Sequence, residues 1–84
     1  MSDTEFDVLD ELYFVTPYHE LAKQTALSDE ELLPCLHTLS SKKWIKCFLN
    51  VSEEALPHEV DLDKHFKEYY YLASKEGLLA HNLG

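Results

Sequence analysis

Two cysteines and five histidines are the residues of this chain with the clearest capacity for chemistry. Cys35 and His37 lie two positions apart, and Cys47 and His65 follow at wider intervals. A structural zinc site usually takes its ligands in pairs at C-x₂₋₄-C or H-x₃₋₅-H spacing, because each pair must reach one ion from a local turn. The cysteines do not follow that spacing. We therefore expect them to pack as small apolar side chains, and we predict no metal site.

The sequence does not predict nucleophilic catalysis at these positions either. Residues 35 and 37 of one helix point about 160° apart, so Cys35 and His37 cannot form a nucleophile–base pair there. The sequence contains neither a glycine-rich phosphate loop nor a serine elbow, and its carboxylates are scattered over polar segments. We predict that the protein is not an enzyme and needs no cofactor.

The charge balance restricts the kinds of partner. Among 84 residues, 16 are acidic and seven are lysine, with no arginine, which gives a formal net charge of −9. A hydrophobic fraction of 45% is typical of a folded chain, here of one domain spanning residues 1–84. Binding to nucleic acid or to anionic lipid depends mainly on positive charge, so both are disfavoured. Without a signal peptide or a run of about 20 apolar residues, we expect a cytoplasmic protein rather than a membrane protein.

Two helices are predicted in the first third of the chain. The segment 4–15 places apolar and aromatic residues at helical spacing, with acidic residues between them. Pro17 disfavours helical backbone at the residue before it but fits the first turn of a new helix. We therefore expect the first helix to end near Thr16 and a second to span residues 17–24, with Thr16 as its N-cap.

A third helix is predicted over residues 29–41. Ser28 and Glu31 have the spacing of a capping box, in which each side chain bonds the backbone N–H of the other residue. Pro34 lies inside this helix and lacks an N–H, so we expect a kink or a loosened first turn there.

The second half of the chain predicts a two-stranded hairpin. Residues 44–49 and 67–73 are rich in aromatic and β-branched side chains, whereas the connection over residues 50–66 is polar and acidic. A short helical turn is expected after Ser74. The predicted fold class is α+β: a three-helix bundle followed by a C-terminal β-hairpin.

Four pieces of sequence occur in one order along this chain: Glu20–Ser28; Leu32, Leu36 and Leu39; Trp44–Ile45; and Tyr71–Gly77. Together they resemble the winged helix-turn-helix family, which is common among bacterial transcriptional regulators. The resemblance implies a small winged helix in which the hairpin is the wing. The family often has glycine where this chain has Ala26, and an alanine fits there without strain only if its φ is negative.

The chemistry of the third helix differs from that of a DNA-reading helix. In the family, the face opposite the core enters the major groove, and here that face carries Glu30, Pro34, His37, Thr38 and Ser41. None of the Arg, Lys, Asn and Gln side chains that usually read bases is present on it. The wing connection is acidic as well. We therefore predict a transcription-related module that binds protein.

The predicted contact residues for a protein partner come from two places. Glu30 and His37 lie on the outer face of the third helix, whereas Tyr69 and Tyr71, helped by Trp44, are expected to form an exposed aromatic face of the hairpin. A partner of basic character would be attracted by the negative charge. A second copy of the chain, forming a homodimer, is the other partner considered.

The alternative is a DNA-binding transcriptional regulator that acts as a dimer. Lys42, Lys43 and Lys46 form the basic cluster of the chain and would contact phosphates. Thr38 and Ser41 would then lie near base edges.

Overall fold

The computed structural model describes residues 1–83, and this part of the chain contains five α-helices and a four-stranded antiparallel sheet. The helices are α1 (Asp3–Asp10), α2 (Tyr18–Thr25), α3 (Asp29–Ser41), α4 (Leu62–His65) and α5 (Lys75–Leu83). The strands are β1 (Thr16–Pro17), β2 (Ile45–Asn50), β3 (Glu53–Glu54) and β4 (Tyr70–Ala73). The α+β class is confirmed. The count of three helices and two strands is wrong, since this part of the chain adds α4 and two short strands, and the short helical turn expected after Ser74 is a nine-residue helix, α5.

Capping boxes begin α1 and α3. Ser2 and Glu5 exchange side-chain to backbone hydrogen bonds at the first helix, and Ser28 and Glu31 do so at the third. The predicted span of α3, residues 29–41, is confirmed. The helix runs through Pro34 without interruption.

The first helix is shorter than predicted. It ends at Asp10 instead of continuing to residue 15, and the chain then bends so that Thr16 and Pro17 pair with β4. Thr16 is therefore not the N-cap of α2. Pro17 occupies that position in extended conformation, with no side-chain cap. The backbone groups of residues 16 and 17 are used by the sheet, an outcome that local sequence does not reveal.

The sheet has the strand order β1-β4-β2-β3. The two longest strands, β2 and β4, pair with Ile45 opposite Ala73 and Phe48 opposite Tyr70. Residues 67–69 are not part of the strand predicted over residues 67–73, and β2 begins and ends one residue later than predicted. The predicted acidic loop over residues 50–66 contains β3, a single 3₁₀ turn (Pro57–Glu59) and α4.

The core lies between the helices and one face of the sheet. Most of its fully buried side chains are leucines of the first three helices, and Tyr71 supplies the largest contribution from the sheet. Both cysteines lie in this core as free thiols, as small apolar side chains would. Each helix in residues 1–83 falls short of the length and apolar character needed to cross a lipid bilayer.

Among residues 1–83, two residues other than glycine adopt left-handed backbone conformations, both at helix ends. Ala26 ends α2 with φ 59° and donates its N–H to Ala22 O, and Lys43 follows α3 with φ 62°. The condition for a strain-free alanine at residue 26 is therefore not met. After α3, Lys43 N–H bonds Ser40 O and Trp44 N–H bonds Leu39 O, which turns the chain into β2.

Candidate functional site

One row of side chains along α3 faces solvent. Glu30, Pro34, Thr38 and Ser41 are all exposed and lie three or four residues apart. The Thr38 hydroxyl donates to the Pro34 carbonyl at 3.1 Å, so the helix itself already uses this group. Of the four, only Glu30 carries a charge, and it is negative.

The neighbouring row of α3, with Asp29 and His37, contacts another segment of the chain and stays partly exposed. The segment 61–67, which contains α4 and is called the strap below, inserts the buried side chain of Leu62 into the core. Asp63 Oδ1 lies 2.7 Å from His37 Nε2, and Lys67 Nζ lies 2.7 Å from Asp29 Oδ2. His37 therefore contacts the strap, and its side chain remains only 46% exposed.

Asp29 connects the N-terminal end of α3 to two other segments of the chain. The hydrogen bonds from Lys67 and from the Tyr18 hydroxyl, the latter at 2.7 Å, hold the pKa of Asp29 below its usual value. Burial and the Asp29 carboxylate raise the pKa of Tyr18, which therefore remains a neutral donor. The N-terminal end of α3 is thus tied both to α2 and to the strap.

The three lysines of the predicted basic cluster do not form one free positive surface. Lys42 Nζ donates to Glu5 Oε2 at 2.8 Å and lies 4.5 Å from the centre of the Trp44 ring. The Lys42 hydrogen bond is the main reason that the pKa of the buried Glu5 is lowered. Lys46 Nζ lies 4.0 Å from Glu54 Oε1, and Lys43 is exposed. Of the predicted partner residues, Trp44 is half-buried beneath Lys42.

The prediction that Tyr69 and Tyr71 are exposed is wrong. Tyr71 is fully buried and Tyr69 is 6% exposed. The Tyr71 hydroxyl donates to Phe66 O at 2.6 Å, and the Tyr69 hydroxyl accepts from Asp61 N–H at 3.0 Å. Because Tyr71 lies opposite Cys47 in the sheet, its side chain points to the helices. Both tyrosines hold the strap to the body of the protein.

The other face of the sheet carries a set of side chains of which only Lys46 was among the candidate residues from the sequence. We call it the outer sheet face. In β1, β2 and β4 its members alternate with buried residues, and most of the set is apolar and half-buried: Pro17, Lys46, Phe48, Glu54, Tyr70 and Leu72. The alternation of Ile45, Lys46 and Cys47 in β2 indicates which side of that strand is inward. No comparable signal was available for β4, where consecutive residues are all apolar or aromatic.

A cleft of about 380 Å³ lies beside α3, between β2 and the segment after β3. Ile45, Ala55 and Val60 supply apolar walls, and Lys43 lines the cleft together with Glu54, among other residues. Charges of both signs meet in it, so the cleft does not favour a ligand of one charge.

In the part of the chain that the structure describes, the side chains with metal-binding or nucleophilic capacity lie singly or in pairs. Within residues 1–83, no three His, Cys, Asp or Glu side chains are grouped to hold a metal ion. Burial raises the pKa of Cys35 to about 11 and that of Cys47 to about 12. At neutral pH these thiols are protonated and weakly nucleophilic.

Comparison with known proteins gives no family assignment: no family model matches this chain, and no match was found among curated proteins or solved structures.

Proposed function

We propose that this chain is a non-enzymatic winged-helix module, a cytoplasmic, transcription-related regulator that acts through contact with protein. The winged-helix interpretation is supported by two successive helices, α2 and α3, that are followed by the paired strands β2 and β4, with β3 and α4 inserted between these strands. The α2–α3 connection is short, as in a helix-turn-helix unit.

The proposal depends mainly on the exposure, the charge and the contacts of the side chains of α3. One row of this helix is exposed and begins with Glu30, while the adjacent row, with Asp29 and His37, is tied to the strap. A DNA duplex presents about one negative charge per 1.7 Å of its axis, so a DNA-reading helix needs positive charge around it. Here Lys42, at the C-terminal end of α3, is held by Glu5, and Lys67 is paired with Asp29.

The same charge distribution favours a basic protein partner. A net charge of −9 on 84 residues attracts a positively charged partner over long range and accelerates its association. A second copy of the chain is the less favoured partner, because two such bodies repel one another.

Titration of fluorescein-labelled random-sequence duplex DNA with the purified chain tests the proposal by anisotropy at low salt. We expect no saturable binding. Saturable binding that weakens steeply as salt is added would overturn the proposal in favour of the dimeric DNA-binding regulator. Lys43→Glu is the matched variant: if DNA binds through the predicted cluster, this change abolishes binding, whereas the exposed Lys75→Glu on α5 retains most of it.

A further inference from the structure

We propose that the outer sheet face binds a short amphipathic segment of another protein, with apolar side chains toward the sheet and lysine or arginine at its edges. This inference rests on the proposed function and names the surface and the partner chemistry for it.

The strand register determines which side chains lie at the centre of this face. Pro17 lies opposite Tyr70, Tyr70 opposite Phe48, and Phe48 opposite Glu54, so one row crosses all four strands. Leu72 lies opposite Lys46 in the next row on the same side. An apolar centre is therefore bordered on one side by a lysine and a glutamate.

This apolar centre does not belong to the core. The half-buried side chains that pack against the core include Trp44 and Phe66, whereas Phe48, Tyr70 and Leu72 are not among them. The opposite face of the sheet packs against the helices. Within residues 1–83 the outer sheet face is thus the side of the sheet that the core leaves open.

The dimensions of the face determine what fits on it. Four strands spaced about 4.8 Å apart give a width of about 14 Å, and the four residues of β4 extend about 13 Å. A stable interface between folded proteins commonly buries about 800 Å² on each partner, far more than this patch offers. One amphipathic helix, about 10 Å in diameter, or one extended segment matches the available surface.

The charge of the protein favours one of the possible binding partners of the outer sheet face. A second copy would bring a body of charge −9 against another of the same sign. On the face itself, Lys46 is close to Glu54, at 4.0 Å, and Glu53 and Glu54 are both exposed at the β3 edge. A segment with basic residues beside its apolar stripe complements the edge and the net charge together.

The first test maps binding of a defined probe on the unmodified protein. The probe is a designed helical peptide of leucine and lysine, with leucines at i, i+3 and i+4, added to ¹⁵N-labelled chain followed by NMR. We expect the largest amide shift changes at Phe48, Tyr70 and Leu72. Changes concentrated on α3 or α5 instead would overturn the inference. A peptide of the same composition with scrambled leucine spacing should bind more weakly, and equal binding would count against it.

The second test uses variants and separates the two proposals. Phe48→Ala should weaken binding of the leucine–lysine peptide about tenfold, equivalent to about 1.4 kcal/mol, while Leu79→Ala on the exposed side of α5 should leave it unchanged. Equal affinity of both variants overturns the assignment of the face but leaves the proposed function standing if DNA is not bound. DNA binding in the titration above overturns the proposed function. A dimer in sedimentation that Phe48→Ala dissociates identifies a second copy as the occupant and overturns the basic-segment inference.

Discussion

Gly77 packs directly against the backbone carbonyl of Trp44. A Cβ atom on residue 77 would lie 2.1 Å from the Trp44 oxygen and 2.9 Å from its carbonyl carbon. The same oxygen accepts the Ser74 N–H at 2.8 Å. The first turn of α5 is therefore seated on the segment that enters β2, and only glycine permits the approach.

Gly77→Ala should destabilise the protein by about 2–3 kcal/mol, because backbone rather than a flexible side chain blocks the new methyl group. The measurement is the free energy of unfolding in urea. Leu79→Ala, at an exposed position of the same helix, is the control and should change stability far less. A Gly77→Ala protein as stable as the original would contradict the close contact.

Ala26→Gly should stabilise the protein by up to about 1 kcal/mol. The left-handed conformation of residue 26 is unfavourable for a side chain with a Cβ and costs glycine little. Ala22→Gly, inside α2, is the opposite control and should cost about 1 kcal/mol, since glycine is a poor helix former. Thermal unfolding of both variants checks the prediction. A loss of stability in Ala26→Gly would mean that residue 26 does not have positive φ in solution.

Tyr71→Phe should cost about 1 kcal/mol, whereas Tyr70→Phe should be close to neutral. The first change removes a buried hydroxyl that donates to Phe66 O and leaves that carbonyl without this donor. The second alters a half-buried side chain of the outer sheet face. Urea unfolding of the pair measures which tyrosine is inside. The reverse order of effects would restore the exposed position first predicted for Tyr71.

Lys42→Met should destabilise the chain at neutral pH by about 1–3 kcal/mol, because the buried Glu5 carboxylate loses its charged donor. The pKa of Glu5 in the folded protein is lowered from its ordinary value of 4.5, so the bond stabilises the fold above that pH and is lost as pH falls below it. The difference in unfolding free energy between Lys42→Met and the original chain should therefore shrink below about pH 4.5.

The control for this pH series is Lys75→Met, an exposed lysine of α5. It should show a small effect at every pH. A Lys42→Met deficit that is constant from neutral to acidic pH would contradict the role of the Glu5 charge.

Both thiols should react slowly with iodoacetamide in the native protein at neutral pH. Burial keeps Cys35 and Cys47 out of contact with solvent and raises their pKa values to about 11 and about 12. Mass spectrometry over time, with the chain in urea as the fast reference, measures the protection. Rapid native modification of Cys35 would show that α3 opens readily at this position.

The limits of the α3 helix could be predicted because its determinants are local. Ser28 and Glu31 lie three residues apart and cap the start of the helix, and the helical spacing of its leucines continues to Leu39, so the span 29–41 needed no knowledge of the rest of the fold. The α+β class likewise followed from hydrophobic spacing and composition. The expectation that anionic partners are disfavoured depends on a net charge that the composition determines without any structure.

Long-range pairing decided the rest. Whether Tyr70 or Tyr71 faces the helices depends on its register with Cys47 and Phe48, more than 20 residues earlier, because a shift of one residue exchanges the two faces of a strand. From sequence alone, Lys42 is predicted to be free to contact phosphates. In the structure, Lys42 Nζ lies 2.8 Å from Glu5 Oε2 of α1. From sequence alone, the acidic segment after β3 is predicted to be an open wing. In the structure, Leu62 of this segment packs in the core and Asp63 contacts His37. Composition and local spacing therefore determined the charge of this protein and the limits of α3, whereas tertiary contacts alone determined which charges and which aromatic rings remain available to a partner.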